Sequence, residues 1–343
     1  MKIHIITIFD SGNYGNRLQN YALTFLLKRY GNVSTLNYRL YDPLLKTIKT
    51  FLFFPLRRNK FHHSFKKKNA FNLFNKHIRF INRYSDCKDN NCLFILGSDQ
   101  IWNYHWFSNS ELLTFLGAKT NAKTISYAAS FGVSEVDDDV KPIFQRYLPR
   151  LKAISVREDR GAELVKEMTG LDATVVLDPT LMLTTTQWNT ITRGFVPDDD
   201  RYVLTYFLGK PSDEQEKTIQ SYAKAHGCRV RRILDLRDKE TYVAGPQDFV
   251  ELFSKAQYVF TDSYHACCFS ILYHKQFTVF NRAGMEGKAN MNSRMETLFR
   301  LFDLDSVVMD KGLAPRIDYD KVDKLLAQHR AESQAWLDKA MEA

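Results

Sequence analysis

The stretch Lys2-Ile3-His4-Ile5-Ile6-Thr7-Ile8-Phe9 leads through Asp10-Ser11-Gly12-Asn13-Tyr14-Gly15 into Asn16–Tyr30 and then a second apolar run, Val33–Tyr38. A short apolar run, a glycine-bearing turn, a helical pattern and another short run form the opening of a βαβ unit, which requires a parallel sheet. Further strands are predicted near Cys92–Leu96 and Thr124–Tyr127. A helix follows near Val140–Arg150, and then a strand, a helix and a strand between Ala153 and Leu177. Together they make a first doubly wound, Rossmann-like domain over residues 1–183, interrupted at 44–84 by an insertion.

The polar stretch Thr184–Asp200, with Pro197 followed by three aspartates, reads as a junction. The period then restarts. Strands at Tyr202–Leu208, Arg229–Leu234, Tyr258–Thr261 and Phe277–Phe280 alternate with helices at Ser212–His226, Gln247–Lys255 and Tyr264–Tyr273. This is a second Rossmann-like domain, 184–319. In 320–343, Val322, Leu325, Leu326, Ala335, Trp336 and Leu337 recur at mostly helical spacing and predict a closing amphipathic helix. A chain of 343 residues agrees with two domains of about 150 residues each. Facing α/β domains leave a cleft at the carboxyl ends of their strands, where ligands bind.

The net charge of +9 has a single location. Pro43–Ser85 carries eleven Lys or Arg and no acid; without it the chain's 48 basic residues fall to 37, against 39 acidic ones. In it Phe51, Leu52, Phe53, Phe54, Phe61, Phe65, Phe71 and Phe74 are interleaved with Arg57, Arg58, Lys66, Lys67 and Lys68. Two readings stand: an amphipathic surface for anionic lipid or an anionic acceptor, or a solvated helical insertion whose phenylalanines join the core. Nucleic acid is not an expected partner, since the rest of the chain is not basic and shows no nucleic-acid motif. The five cysteines are too scattered for a disulfide framework or a structural zinc site, and no metal is expected. With no basic leader and no run of 18 apolar residues, the expected location is the cytoplasm.

Three loops are candidates for chemistry. Asp10-Ser11-Gly12-Asn13-Tyr14-Gly15-Asn16 lies where amides and a helix N-terminus can receive an anion, though a tight βα turn alone accounts for its glycines. Gly97-Ser98-Asp99-Gln100-Ile101-Trp102-Asn103 offers polar groups beside an indole, suited to a sugar; alternatively Ser98 or Asp99 caps a helix and Trp102 packs in the core. Thr261-Asp262-Ser263-Tyr264-His265 places His265 in the first turn of a helix, where the dipole lowers its pKa and attracts phosphate or carboxylate; a capped helix with a core histidine is the other reading. Cys267 and Cys268 read as packing residues. Arg157 and Arg294 each open a helix and suit an anion clamp, or, for Arg157, an ion pair with Glu158 or Asp159.

These blocks, in this order, resemble the polysaccharide pyruvyl transferase family. The matching stretches are Asn13-Tyr14-Gly15 with Leu18-Gln19 and Tyr21-Ala22-Leu23, Gly97-Ser98-Asp99-Gln100 with Trp102-Asn103, Ile125–Gly132, Ser155-Val156-Arg157-Glu158, Leu177-Asp178-Pro179-Thr180-Leu181, Thr261–His265 and Asn292-Ser293-Arg294. The resemblance implies a fold like that of the two-domain GT-B glycosyltransferases, no cofactor, and phosphoenolpyruvate as donor, placed near Arg157 and His265. The sequence departs from the family pattern at Ser263, where some relatives carry arginine, and at Ala266, where many carry glycine. Arg294 is therefore expected to supply the missing cation.

The expected reaction moves a pyruvyl group onto a glycan or lipid-linked sugar as a cyclic ketal at the inner face of the membrane. His265 is the expected acid and Asp99 the base. Arg157, Ser263, Tyr264 and Arg294 hold the donor, while Asn13, Tyr14, Gly15, Gln100, Trp102 and Asn103 line the acceptor side. Two alternatives stay open: a glycosyltransferase using a nucleotide sugar, and a silent sugar-binding protein of a surface-polymer pathway.

Overall fold

The computed structural model describes residues 1–10, 12–37, 58–81, 92–281 and 293–342. Its first sheet holds β1 (Lys2–Ile6), β2 (Asn32–Leu36), β3 (Phe80–Ile81), β4 (Cys92–Leu96) and β5 (Lys123–Ser126) in the order β3-β2-β1-β4-β5, with every pair parallel. Beyond β5, single parallel bridges at Ala129 connect to β6 (Ser155–Val156), which pairs with β7 (Thr174–Val175). Ile3 and Ile5 face one apolar layer and Ile6, Phe94 and Leu96 another. A sheet buried on both faces is why these strands read as near-continuous apolar runs.

The second sheet holds β8 (Tyr202–Tyr206), β9 (Arg229–Ile233), β10 (Tyr258–Thr261), β11 (Phe277–Phe280) and β12 (Val308–Met309) in the order β12-β11-β10-β8-β9, again all parallel. Strand order reverses between β1 and β4 in the first sheet and between β8 and β10 in the second. At such a point the connections leave toward opposite faces and open a crevice at the carboxyl ends. Here the two crevices meet in one cavity, lined by Asn13, Asp99 and Gln100 from one domain and Leu208, Asp262 and His265 from the other.

The helices around the first sheet are α1 (Tyr14–Leu27), α2 (Arg58–Phe74), α3 (Asn109–Phe115), α4 (Lys141–Tyr147) and α5 (Asp159–Thr169). Short helices α6 (Pro179–Met182) and α7 (Thr185–Asn189) lead to the second domain, which carries α8 (Asp213–Ala225), α9 (Lys239–Tyr242), α10 (Pro246–Lys255), α11 (Tyr264–Leu272) and α12 (Ser293–Phe302). The polar junction is thus partly helical. Thr184 and Gln187 form a capping box, and Trp188 is fully buried with its Nε1 donating to the Thr180 carbonyl at 3.1 Å. The closing helix α13 (Tyr319–Glu342) returns across both domains. Val322 and Leu326 pack in the second domain's core, whereas Leu337, Ala340 and Met341 join Ile3, Leu23 and Leu93 of the first.

The domains share one apolar cluster. Tyr14, Leu18 and Tyr21 of α1 and Phe71 and Phe74 of α2 pack with Tyr206, Phe249 and Phe269 of the second domain. Within the insertion the core reading therefore holds for Phe71 and Phe74, while Phe65 is exposed. Lys67 turns inward, its Nζ 4.8 Å from the Tyr14 ring centroid; burial lowers its pKa to about 8, against the opposing pull of Asp10. Residues 43–57 and 82–85 of the insertion and the side chains of 58–62 lie outside the described part. Cys228, Cys267 and Cys268 are free, but Cys92 is disulfide-bonded, which the sequence did not suggest. Among the described residues no helix is long and apolar enough to cross a membrane.

Candidate active site

The site is organised around a fully buried guanidinium. Arg157, at the end of β6, has a side chain with no exposed surface. Its Nη1 donates to Asp178 Oδ2 at 2.8 Å and its Nη2 to Asp99 Oδ1 at 3.1 Å. Asp178 is the N-cap of α6: its Oδ1 accepts from the amide and hydroxyl of Thr180, and its Oδ2 also accepts from Ser98 Oγ at 3.1 Å. Burial opposes the charge on Arg157, but Asp99 and Asp178 outweigh it and raise the arginine's pKa. Both Nη atoms of Arg157 are thus taken by carboxylates from loops far apart in sequence, while its Nε is buried without a hydrogen-bond partner, and Arg157 does not line the cavity.

Asp99 lines the cavity from the end of β4, its Oδ2 accepting from Asn16 Nδ2 at 3.2 Å. Burial alone would raise its pKa, yet Arg157, foremost among its neighbours, holds the carboxyl down at about 2. A carboxylate so stabilised and doubly bonded is a poor proton acceptor, so its geometry suits a fixed negative charge better than a base.

His265 stands in the first turn of α11 and lines the same cavity. Its Nε2 is sealed from solvent, without a hydrogen-bond partner, 3.7 Å from Asp178 Oδ2. Burial lowers its pKa below the ordinary 6.5, and Arg157 and Arg294 act the same way against Asp178 and Asp99, so the imidazole is neutral at pH 7. From the other domain, Gly15 presses on the ring: a Cβ there would stand 2.0 Å from Nδ1 and 2.4 Å from Cγ. This contact explains the glycine of the first loop. Tyr14 and Gly15 do not line the cavity; the Tyr14 hydroxyl donates to the Ala244 carbonyl at 2.8 Å and its ring stacks on Phe249.

Arg294, in the first turn of α12, is the cation that faces the cavity. Burial and then the like charge of Arg157 lower its pKa to about 10. Among the described residues it forms no ion pair. Gln100, with its amide oxygen turned to the guanidinium, accepts from Arg294 Nε at 3.2 Å and Nη2 at 3.1 Å. The Tyr264 ring lies beneath both arginines, 4.7 Å from Arg157 and 5.7 Å from Arg294. Ser263 lines the cavity as the N-cap of α11 but makes no side-chain capping bond, leaving first-turn amides of that helix for a ligand. Asp262, in contrast, is structural, accepting from the Leu208 and Gly209 amides at 2.7 and 2.8 Å.

Of the expected acceptor-side residues, Asn13 and Gln100 line the cavity, while Trp102 and Asn103 are buried away from it. The Trp102 indole donates to the Phe115 carbonyl at 3.1 Å and packs on Phe131, so it is a core residue. The exposed indole at the cavity is Trp106, four residues on, which the sequence did not single out. Asp178 was also passed over: Asp-Pro-Thr signals a helix cap and says nothing of a remote arginine. Behind the site Glu158 Oε1 gathers Ser130 Oγ and the amides of Phe131 and Gly132 at 2.9, 2.8 and 3.2 Å, fixing the loop after β5. Among the described residues no His, Cys, Asp and Glu group is placed to hold a metal.

Residues 13–284 match a family model described as polysaccharide pyruvyl transferase. A search of curated proteins finds no match. Among solved structures the chain is similar to a UDP-GlcNAc 2-epimerase from Neisseria meningitidis bound to UDP-GlcNAc (TM-score 0.46, 10% identity, covering 99% of this chain and 94% of that one). It is similar also to a UDP-N-acetylglucosamine 2-epimerase from Rickettsia bellii (0.48, 8%, 99% and 94%) and a glycosyltransferase from Rickettsia africae ESF-5 (0.44, 12%, 99% and 94%).

The contact of Gly15 with the imidazole gives a direct test. Gly15→Ala should cost about 1–3 kcal/mol in urea unfolding, because a buried ring must move. Gly12→Ala, whose new Cβ would find its nearest neighbour at 3.5 Å, should stay within about 0.5 kcal/mol. Equal stabilities for the two variants would show that the domains do not press together at this point.

Proposed function

Because the chain belongs to the polysaccharide pyruvyl transferase family, we propose that it transfers the pyruvyl group of phosphoenolpyruvate to two hydroxyls of a cell-surface glycan or lipid-linked sugar, forming a cyclic ketal and releasing phosphate. The observation that carries this reading is a buried guanidinium, Arg294, without a carboxylate partner among the described residues, which shares a cavity with a neutral imidazole and a helix N-terminus. That constellation suits a small polyanion with phosphate at one end and carboxylate at the other. No cofactor is needed.

Donor binding alters His265 first. Negative charge beside the imidazole offsets the burial that keeps it neutral, so the donor is bound together with a proton. The imidazolium gives that proton to the methylene carbon of the enol phosphate, which becomes a methyl group as positive character develops at C2. One sugar hydroxyl attacks C2 and its proton returns to the imidazole. The second hydroxyl attacks as the C2–O bond to phosphate breaks, and its proton leaves with the phosphate. The outcome is one ketal and one phosphate, with no change of oxidation state. Asp178, 3.7 Å from Nε2, steadies the imidazolium; Arg157 keeps Asp178 ionised and in place; Asp99 supplies fixed negative charge on the facing domain.

The exposed face of α2 supports work at the inner membrane surface. Phe65 and Leu73 are solvent-exposed beside exposed Lys66 and Lys68, whereas Lys67 is turned into the protein and takes no part.

Incubation with phosphoenolpyruvate and acceptor should release phosphate, and kcat/KM for the donor should be highest at low pH and fall as pH rises through the His265 pKa, below 6.5 in the free enzyme. His265→Gln should lower turnover by roughly 10²–10⁴-fold; release of a nucleoside diphosphate from a nucleotide sugar instead would establish the glycosyltransferase reading. Separately, replacing Lys66 and Lys68 with glutamine should weaken co-sedimentation with phosphatidylglycerol vesicles by about 1 kcal/mol each, roughly 30-fold together. Unchanged sedimentation would remove the membrane from the account.

A further inference from the structure

Two large apolar side chains left exposed in the described structure line the same cavity from opposite domains. Trp106, 51% exposed, ends the turn Tyr104–Trp106 that follows the Gly97–Asn103 loop. Leu208, 48% exposed, follows β8, and both line the cavity. Scattered exposed apolar residues need no explanation, but two that line one cavity from opposite domains mark a contact surface. No aromatic neighbour stacks on Trp106 among the described residues, and half of its surface is exposed.

The polar groups beside them are of a different kind from those deeper in. Glu296, exposed in the first turn of α12, lines the cavity with no hydrogen bond or ion pair among the described residues. Asn281 also lines it, its amide nitrogen held by Asp310 Oδ1 at 2.7 Å. The cavity thus sorts ligands by charge. At its buried end Arg294 offers a cation to an anion, the nearby Asp99 charge being already paired with Arg157, while the exposed carboxylate of Glu296 repels an anion and accepts hydroxyl donors.

From this arrangement we infer that Trp106 and Leu208 clamp a single pyranose ring of the acceptor, with the indole beneath the ring's C–H face and Glu296 and Asn281 taking its hydroxyls. A pyranose has the required surface: C–H bonds carrying partial positive charge on its face, which suit the negative face of an aromatic ring, and hydroxyls around its edge. A nucleobase would satisfy the indole equally, but a nucleotide would bring a diphosphate into a cavity that Glu296 also lines. The inference rests on the proposed transfer reaction, since it assigns that reaction's acceptor subsite. It moves the stacking role from Trp102 to Trp106, and it makes the ring between the two domains, rather than the length of the polymer, the feature that is read.

The test uses saturation-transfer NMR on the intact protein in the presence of phosphoenolpyruvate. The probes are methyl β-D-galactopyranoside, methyl β-D-glucopyranoside, the methyl glycoside of N-acetylmannosamine and, as the competing class, UDP, with phosphorus line broadening followed in parallel for the donor. At least one glycoside should receive saturation at its ring C–H protons. Trp106→Ala should weaken that binding at least tenfold, Trp106→Phe should keep it within about threefold, and Glu296→Gln should weaken it several-fold, all with donor broadening unchanged. Retention of glycoside binding in Trp106→Ala, or transfer to none of the three glycosides in the wild type, overturns the clamp. Transfer to UDP alone overturns it in favour of a base. If glycosides bind through Trp106 while phosphoenolpyruvate does not broaden in the wild type, the clamp stands and the donor assignment falls.

Discussion

The buried Arg157 guanidinium, held between Asp99 and Asp178, is the constraint on which the site depends. Three segments distant in sequence meet in these two ion pairs: the loop after β4, the end of β6, and the cap of α6. A charge this deep is tolerated only when paired, and removal of one partner of such a pair costs about 3–5 kcal/mol because the other is left uncompensated. The cost secures a geometry. Asp178, fixed by Arg157 and Thr180, faces the His265 imidazole across the domain boundary, so the same network that closes the first domain positions the titrating group of the second. With both Nη atoms of Arg157 engaged, Arg294 is the guanidinium that lines the cavity.

This network is useful only if the domains hold a defined relation. They meet through an apolar cluster in which Tyr14 packs on Phe71, Tyr206 and Phe249, and through the contact of Gly15 with His265. Relative motion is the default for domains joined by small polar interfaces, and a shared hydrophobic core works against it. Helix α13 adds a second tie: Arg330 donates to the carbonyls of Leu181 and Leu183 in the connecting segment at 2.6 and 2.7 Å, and Ser333 Oγ accepts from the Leu177 amide at 2.9 Å. The insertion joins the same interface through Phe71 and Phe74, so one of its faces is structural and the other, with Phe65, Lys66 and Lys68, remains in solvent.

Much of the fold was legible because parallel strands buried on both faces leave unbroken apolar runs, and the two series of such runs gave both sheets. Positions read by local rules also held, such as Arg294 and His265 in the first turns of their helices. The failures share one physical cause. Whether an arginine grips a ligand or a carboxylate depends on what tertiary structure brings to it, and the partners of Arg157 lie 58 and 21 residues away. Of the neighbours that the sequence pointed to, Glu158 does pair with Arg157, its Oε2 3.9 Å from Nε, whereas Asp159 pairs with Arg300. Trp102 and Trp106 likewise have similar local surroundings in the sequence. Only the packing of α3, which supplies the Phe115 carbonyl, draws the first inward and leaves the second at the surface.

The most direct test is a crystal structure of the protein with phosphoenolpyruvate. Difference density for the donor should lie against Arg294, His265 and the start of α11, with the Arg157 guanidinium still bonded to both Asp99 and Asp178. Density in contact with an Arg157 released from those carboxylates, or outside the cavity shared by the two sheets, would contradict the account.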